Sequence, residues 1–422
     1  MDHRIEELIE FTREKYGLNQ YYLQGWDISR ETTIYDETVY RLRMEWFPNH
    51  IQDWDDEESN PEGTASVEID IHSRKLKRAI FVGGISYSES MIFDWNNKQE
   101  IFNWIERETG LKYLEQFELW REEERELHFK GRIDGFAFSP SAFIDCSFNE
   151  EGRLTYFSVY GKFPPEKLVK KESYILSLEQ VEELVKNQLK LAEFPLMKKQ
   201  KLVPAFAVEE IYIKNDGRST LAFDFFVDEN SRLPFDKTIE WNQETSKPFN
   251  RTPITLIENV TLEQAFRCDP HPDLQPISEE EIKKCIIALQ IFLSQEYADD
   301  SGKWSLKALH RENGYIHATL QLKKQKERVF KRKMKVFIDS KTNIVLNYMD
   351  NKLFLDMYKD LKEAEEIKVT KEEAFTKLRH YMELTPYYVY DFEQGRYVLC
   401  GKLDCHYAVK ADSGEVVEMS EL

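Results

Sequence analysis

The sequence predicts an α+β protein made of tandem repeats, each one helix packed on a three- to four-stranded antiparallel sheet. Three observations lead there: a closing turn that recurs along the chain, capped helices ahead of it, and period-two strands in between.

The turn is clearest near the C-terminus, where Ser413-Gly414-Glu415-Val416 follows the extended stretch Tyr407 to Ala411. Counterparts are Thr342-Asn343-Ile344-Val345, Asn230-Ser231-Arg232-Leu233, Glu151-Gly152-Arg153-Leu154 and Ser73-Arg74-Lys75-Leu76. In each, a turn rich in small, polar or charged residues leads to an apolar residue that starts a strand. The intervals agree within a few residues, except that between Leu233 and Val345, which holds an insertion.

Helices precede these turns. Ser177 to Gln180, Ser278 to Glu281 and Thr370 to Glu373 are capping boxes, in which two unpaired backbone donors are satisfied reciprocally; Asn97 to Glu100 is a weaker version. Apolar stripes of helical period follow: Ile282, Cys285, Ile286, Leu289 and Leu293; Val181, Leu184, Val185 and Leu189; Ile101, Trp104 and Ile105. Ile5, Leu8, Ile9, Thr12 and Tyr16 form a similar face at the N-terminus. Gly17 and Gly110 end their helices as residues free to take positive φ.

The strands alternate. Tyr40, Leu42, Met44 and Trp46 form one apolar row, and Val67, Ile69 and Ile71 another. Leu221, Phe223, Phe225 and Val227, then Ile316, Ala318, Leu320 and Leu322, then Met334, Val336 and Ile338 complete the set. Alternation means one wet face, hence antiparallel sheets. Repeats one and two are placed in 1–168, repeat three in 169–262, and repeats four and five in 263–422. Pro248, Pro253, Pro270, Pro272 and Pro276 mark the insertion, with a short helix expected at Thr261 to Phe266.

Thr370, Glu373 and Ala374 at a helix start, with Tyr407 to Val417 closing on Asp412-Ser413-Gly414-Glu415-Val416-Val417, resemble the PepSY domain. The tandem arrangement is similar to PepSY-related repeats of the YcdB/YcdC type, found in spore-forming bacteria. The resemblance is strongest over the last repeat, looser over 278–350 and 177–245, and weakest before residue 165. It implies a non-enzymatic module that binds or restrains peptidases. Its motif is structural, so no active residue carries over.

Such relatives are typically exported or anchored. Here Met1 to Glu7 is acidic and amphipathic without an apolar leader, and no apolar run approaches about 20 residues. Five cysteines at unpatterned spacings read as reduced thiols. The expectation is a cytoplasmic protein that spans no membrane. A net charge of −19 argues against nucleic acid and anionic lipid as partners. The acidic cluster Asp53, Asp55, Asp56, Glu57 and Glu58 lacks EF-hand spacing and reads as a solvated loop. Arg121 to Glu126 reads as a hairpin tip.

Catalytic signatures are missing from the sequence: no Walker loop, Rossmann glycines, His-Glu-x-x-His helix or Gly-x-Ser-x-Gly elbow occurs. Cys400, Cys405, His406 and His380 come nearest to a metal set, but Cys405 and His406 would point to opposite faces of a strand. Cys268 with His271 reads as a loop coincidence. No enzyme activity, cofactor or metal is therefore expected. Against the acidic balance, Lys331, Lys333 and Lys335 alternate with Met334 and Val336; they are the candidate partner-binding residues, or else the outer face of an ordinary edge strand. The expected function is non-catalytic binding of a protein or peptide by strand addition, in a narrower form the regulation of a peptidase. The alternative is an enzyme or small-ligand binder with a pocket between repeats. Oligomeric state is left open.

Overall fold

A computed structural model describes the chain except residues 52–53, 55–58, 223–232, 243–247, 256–258 and 324–328. It is α+β with antiparallel sheets, and its helices are α1 (His3–Lys15), α2 (Lys98–Thr109), α3 (Glu182–Gln188), α4 (Leu262–Arg267), α5 (Glu279–Glu296), α6 (Lys352–Asp356) and α7 (Lys371–Leu378). None of these is long and apolar enough to cross a membrane. Two compact units emerge. The first comprises Met1–Lys170, Glu258–His271 and Tyr388–Tyr397; the second comprises Lys171–Ile257, Pro272–Tyr387 and Val398–Leu422.

In the first unit, α1 is followed by β1 (Tyr21–Thr32), β2 (Thr38–Pro48), β3 (Ala65–Asp70) and β4 (Leu76–Phe81). After α2 come β5 (Phe117–Glu123), β6 (Glu126–Gly131), the short β7 (Ala137–Ser139), β8 (Phe143–Phe148) and β9 (Leu154–Tyr160). The two meanders share one eight-stranded sheet of order β1-β2-β3-β4-β9-β8-β6-β5. They meet where β4 pairs antiparallel with β9, Ala79 opposite Phe157. Each last strand thus covers the other's exposed edge. Tyr40, Leu42, Met44 and Trp46 are buried from β2, and Ile5, Leu8, Ile101 and Ile105 from the two helices. The insertion helix α4 adds Ala265 to this core.

In the second unit, α3 precedes β10 (Leu189–Leu196), β11 (Lys201–Val208), β12 (Ile211–Lys214) and β13 (Thr220–Ala222). Then come β14 (Leu233–Ile239), β15 (Trp304–Glu312), β16 (Tyr315–Leu322), β17 (Lys333–Asp339) and β18 (Val345–Asp350), in a sheet of that same order. The chain ends with α7 and β19 (Glu383–Asp391), β20 (Arg396–Asp404), β21 (Tyr407–Lys410) and β22 (Val416–Glu418), of which Tyr388–Tyr397 is counted with the first unit. The strands following α3 and α7 exchange partners. β11 pairs with β21, Phe206 opposite Val409, and β12 pairs with β20, Tyr212 opposite Lys402. One sheet is therefore β10-β11-β21-β22, and the other contains the order β13-β12-β20-β19.

The closing turns share one geometry. Arg74, Gly152, Asn343 and Gly414 each sit two residues before the final strand of their module at positive φ, between 53° and 75°. Across the turns, the Asp70, Asp339 and Lys410 N–H groups donate to the Lys75, Ile344 and Glu415 carbonyls at 2.9–3.0 Å. In the module of α3 the same bond runs from Lys214 to Ser219 at 2.9 Å, with Gly217 at φ 67°. The turn expected at Asn230 to Leu233 falls largely outside the described residues, as do Phe223 to Val227 and Asp53, Asp55, Asp56, Glu57 and Glu58.

Capping boxes form at Ser278/Glu281 and Thr370/Glu373, and a third at Thr261/Gln264 opens α4. The box at Ser177 does not start its helix. Gln180 folds back on the Ser177 N–H at 3.0 Å, and α3 begins only at Glu182 without a side-chain cap.

Candidate functional site

Helix α5 presents two apolar faces. Cys285, Leu289, Phe292 and Leu293 are buried against the sheet, beside Trp304, Leu306, Leu309 and Ile316. Ile287 and Ile291, one turn apart, remain 55% and 51% exposed. Scattered exposed side chains need no explanation, but contiguous ones do. These two line a groove of about 570 Å³ whose other walls are Pro248 to Asn250 with Thr252, and Thr342 to Leu346. Phe249 packs edge-on to Phe292 at 5.0 Å, and Ile344 is 59% exposed at the far rim. Lys284 and Gln295 mark the groove along the helix.

The groove borders β18, the edge of its sheet. Part of that edge is already engaged: the Thr252 N–H donates to the Leu346 carbonyl at 2.8 Å, and Asn347 Nδ2 donates to the Thr252 carbonyl at 3.0 Å. The Tyr348 N–H is taken by the Asn347 side chain at 2.9 Å. A guest here would be held by its side chains. A smaller cleft of about 260 Å³ lies between α3 and α7, where Glu182 pairs with Lys186 and Arg379 at 3.0 and 3.1 Å.

Lys333 and Lys335 alternate with buried Met334 and Val336, as the sequence implied, and Lys331 is exposed just before the strand. That outer face is not at a sheet edge, because β17 lies between β16 and β18. Lys335 Nζ sits 3.2 Å from Glu312 Oε2, across β16. Glu312 also faces two histidines. His317 Nδ1 is 2.8 Å and His310 Nε2 3.4 Å from the same oxygen. Both rings are 2% exposed. The two imidazoles hold Glu312 well below the usual carboxylate range. Burial pushes His317 down and biases it to the neutral ring. This set escaped the sequence reading.

The sequence's own metal and nucleophile candidates are not brought together. Cys400 and Cys405 are buried, their thiols directed at the Val398 and Tyr407 carbonyls, while His406 and His380 are exposed. Cys268 lies not against His271 but 3.3 Å from His72 Nε2, which is also 3.0 Å from the Ala265 carbonyl. A ring nitrogen donating to that carbonyl cannot take the thiol proton.

No protein-family profile matches the chain, and no curated protein matches it. Among solved structures it is similar to the Bacillus megaterium YpeB C-terminal domain, at 10% identity and a TM-score of 0.23 over 82% of this chain and 96% of that one.

Proposed function

We propose that this chain is a non-catalytic binding module of the PepSY type, whose groove beside α5 takes a partner peptide by its aliphatic and aromatic side chains. The exposed pair Ile287 and Ile291 over the Phe249 and Phe292 rings carries this reading. A helix–sheet groove with apolar walls and a polar rim is a common peptide-recognition surface. The PepSY likeness rests on Thr370, Glu373, Ala374 and the Tyr407 to Val417 stretch. The recurring order of helix and four strands, with matched closing turns, supports reading the modules as tandem copies. Restraint of a peptidase, binding by strand addition at other sheet edges, and a cytoplasmic setting belong to the same proposal.

The test is display panning of a random peptide library on the full chain, followed by binding of the enriched peptides to Ile287→Asp and Ile291→Asp. Both side chains are half exposed, so the fold tolerates the changes. Enriched peptides should carry bulky apolar residues and lose at least about tenfold in affinity, as for loss of a buried apolar anchor. Peptides that bind both variants as well as the parent chain would remove the groove from the account.

A further inference from the structure

The β15–β16 hairpin turns on Asn313-Gly314, with φ of 52° and 81°. Two consecutive positive-φ residues make the type I′ connection that fixes a two-residue hairpin in register. His310 is thereby set directly opposite His317. Glu312, two residues beyond His310 on the same strand, projects from the same face. One ligand atom from each of the three lies within 4.8 Å of the others.

We propose that His310, Glu312 and His317 bind a divalent transition-metal ion of the zinc class. Two imidazoles and a carboxylate are the donors that such an ion takes, with a remaining position open. In a tetrahedral site with bonds of about 2.0–2.1 Å, neighbouring ligand atoms lie about 3.3 Å apart. The separations of 2.8 and 3.4 Å around Glu312 Oε2 bracket that edge.

Unpaired nitrogens give the second, independent argument. His310 Nδ1 and both ring nitrogens of His317 are buried without a hydrogen-bond partner. His317 Nδ1 is close to Glu312 Oε2 yet misaligned for donation to it, the relation expected of two ligands that share an ion. Leaving a buried polar group unsatisfied is costly, and coordination removes that cost for the nitrogens that ligate. Lys335 Nζ is the competing cation at Glu312, and its half-exposed stem lets it swing to solvent. The other grouping of this kind, Glu123, Glu126 and His128, has its ring committed. Its Nδ1 meets Asp145 at 2.8 Å and its Nε2 faces Arg121 at 3.3 Å.

The test uses tag-free full-length chain stripped with a chelator, titrated with Zn²⁺ by calorimetry and with Co²⁺ by visible absorption. The parent chain should take one equivalent and give the intense bands of low-coordinate Co²⁺. Glu312→Gln should weaken uptake by at least about tenfold, the loss typical even for groups that only support a ligand, while leaving the circular dichroism unchanged. Lys335→Met should strengthen uptake. His317→Ala should abolish it, and if that variant fails to fold, Glu312→Gln and Lys335→Met decide. No stoichiometric uptake by the parent chain would overturn the proposal. So would uptake unchanged in Glu312→Gln, or uptake lost in His128→Ala.

Discussion

Tyr297, the residue that ends α5, donates its hydroxyl to Asp350 Oδ2 at the end of β18, 2.7 Å away, and so ties the helix to the far side of its own sheet. Arg332 Nη2 donates to the same oxygen at 2.8 Å while its guanidinium lies 5.2 Å from the Trp304 ring. Burial alone would push the Asp350 carboxyl up, but Arg332 and Tyr297 outweigh it and leave it below its ordinary value.

A depressed carboxylate stabilises the fold above its unfolded pKa of about 4 and loses that contribution as pH falls through the folded value. Asp350→Asn should therefore cost about 2 kcal/mol near neutrality, since it leaves Arg332 partly buried beside a neutral group. The deficit should shrink as pH falls below about 4 and through the lower folded value, since the parent carboxyl is then itself protonated. Urea melts of both chains across that range check this. A deficit constant with pH would show that packing, not charge, is at stake.

Lys77 on β4 behaves oppositely. Burial, then the positive charges of Lys162 and Arg41, bring its ammonium down from 10.5 to about 8. A lowered amine disfavours the charged folded state below the folded pKa, and the penalty fades as pH rises from about 8 toward the unfolded value. Lys77→Met should stabilise the chain at neutral pH by on the order of 2 kcal/mol. The gain should fall across that alkaline window in parallel thermal melts.

The closing turns predict unequal responses to one chemical change. A Cβ at Gly152 would run into the Phe93 carbonyl oxygen of the backbone, whereas one at Gly414 meets side chains alone, the flexible tip of Lys377 at 2.8 Å and Val369 Cγ2 at 3.3 Å. Both glycines hold positive φ, which costs an L-residue about 1–2 kcal/mol. Gly152→Ala should cost clearly more than Gly414→Ala, about 3 kcal/mol against about 1. Asn343→Gly, at the matching position, should be close to neutral. Equal losses at the two glycines would count against the geometry described.

Much of the fold was legible because its signals are local. The Tyr40 to Trp46 row, the Ser278 and Thr370 boxes and four of the closing turns depend on residues within one element or one turn. The late start of α3 was not legible, because Ser177 and Gln180 satisfy each other in a turn as readily as on a helix. Nor was the pairing of β11 with β21, which joins segments some 200 positions apart with no trace in either one. His310, Glu312 and His317 could have been found. Asn313-Gly314 between alternating strands dictates register, and register places the two histidines face to face. Ile287 and Ile291 gave less away, since an apolar residue on an apolar helix carries no label for the face it shows.

The groove is tested most directly by amide hydrogen exchange of the full chain with and without a selected peptide. Protection should rise at Lys284 to Gln295 on α5 and at Thr342 to Leu346, the two walls of the groove. These two segments unchanged, with protection confined to the edges of other sheets, would contradict the groove reading and leave strand addition at those edges in its place.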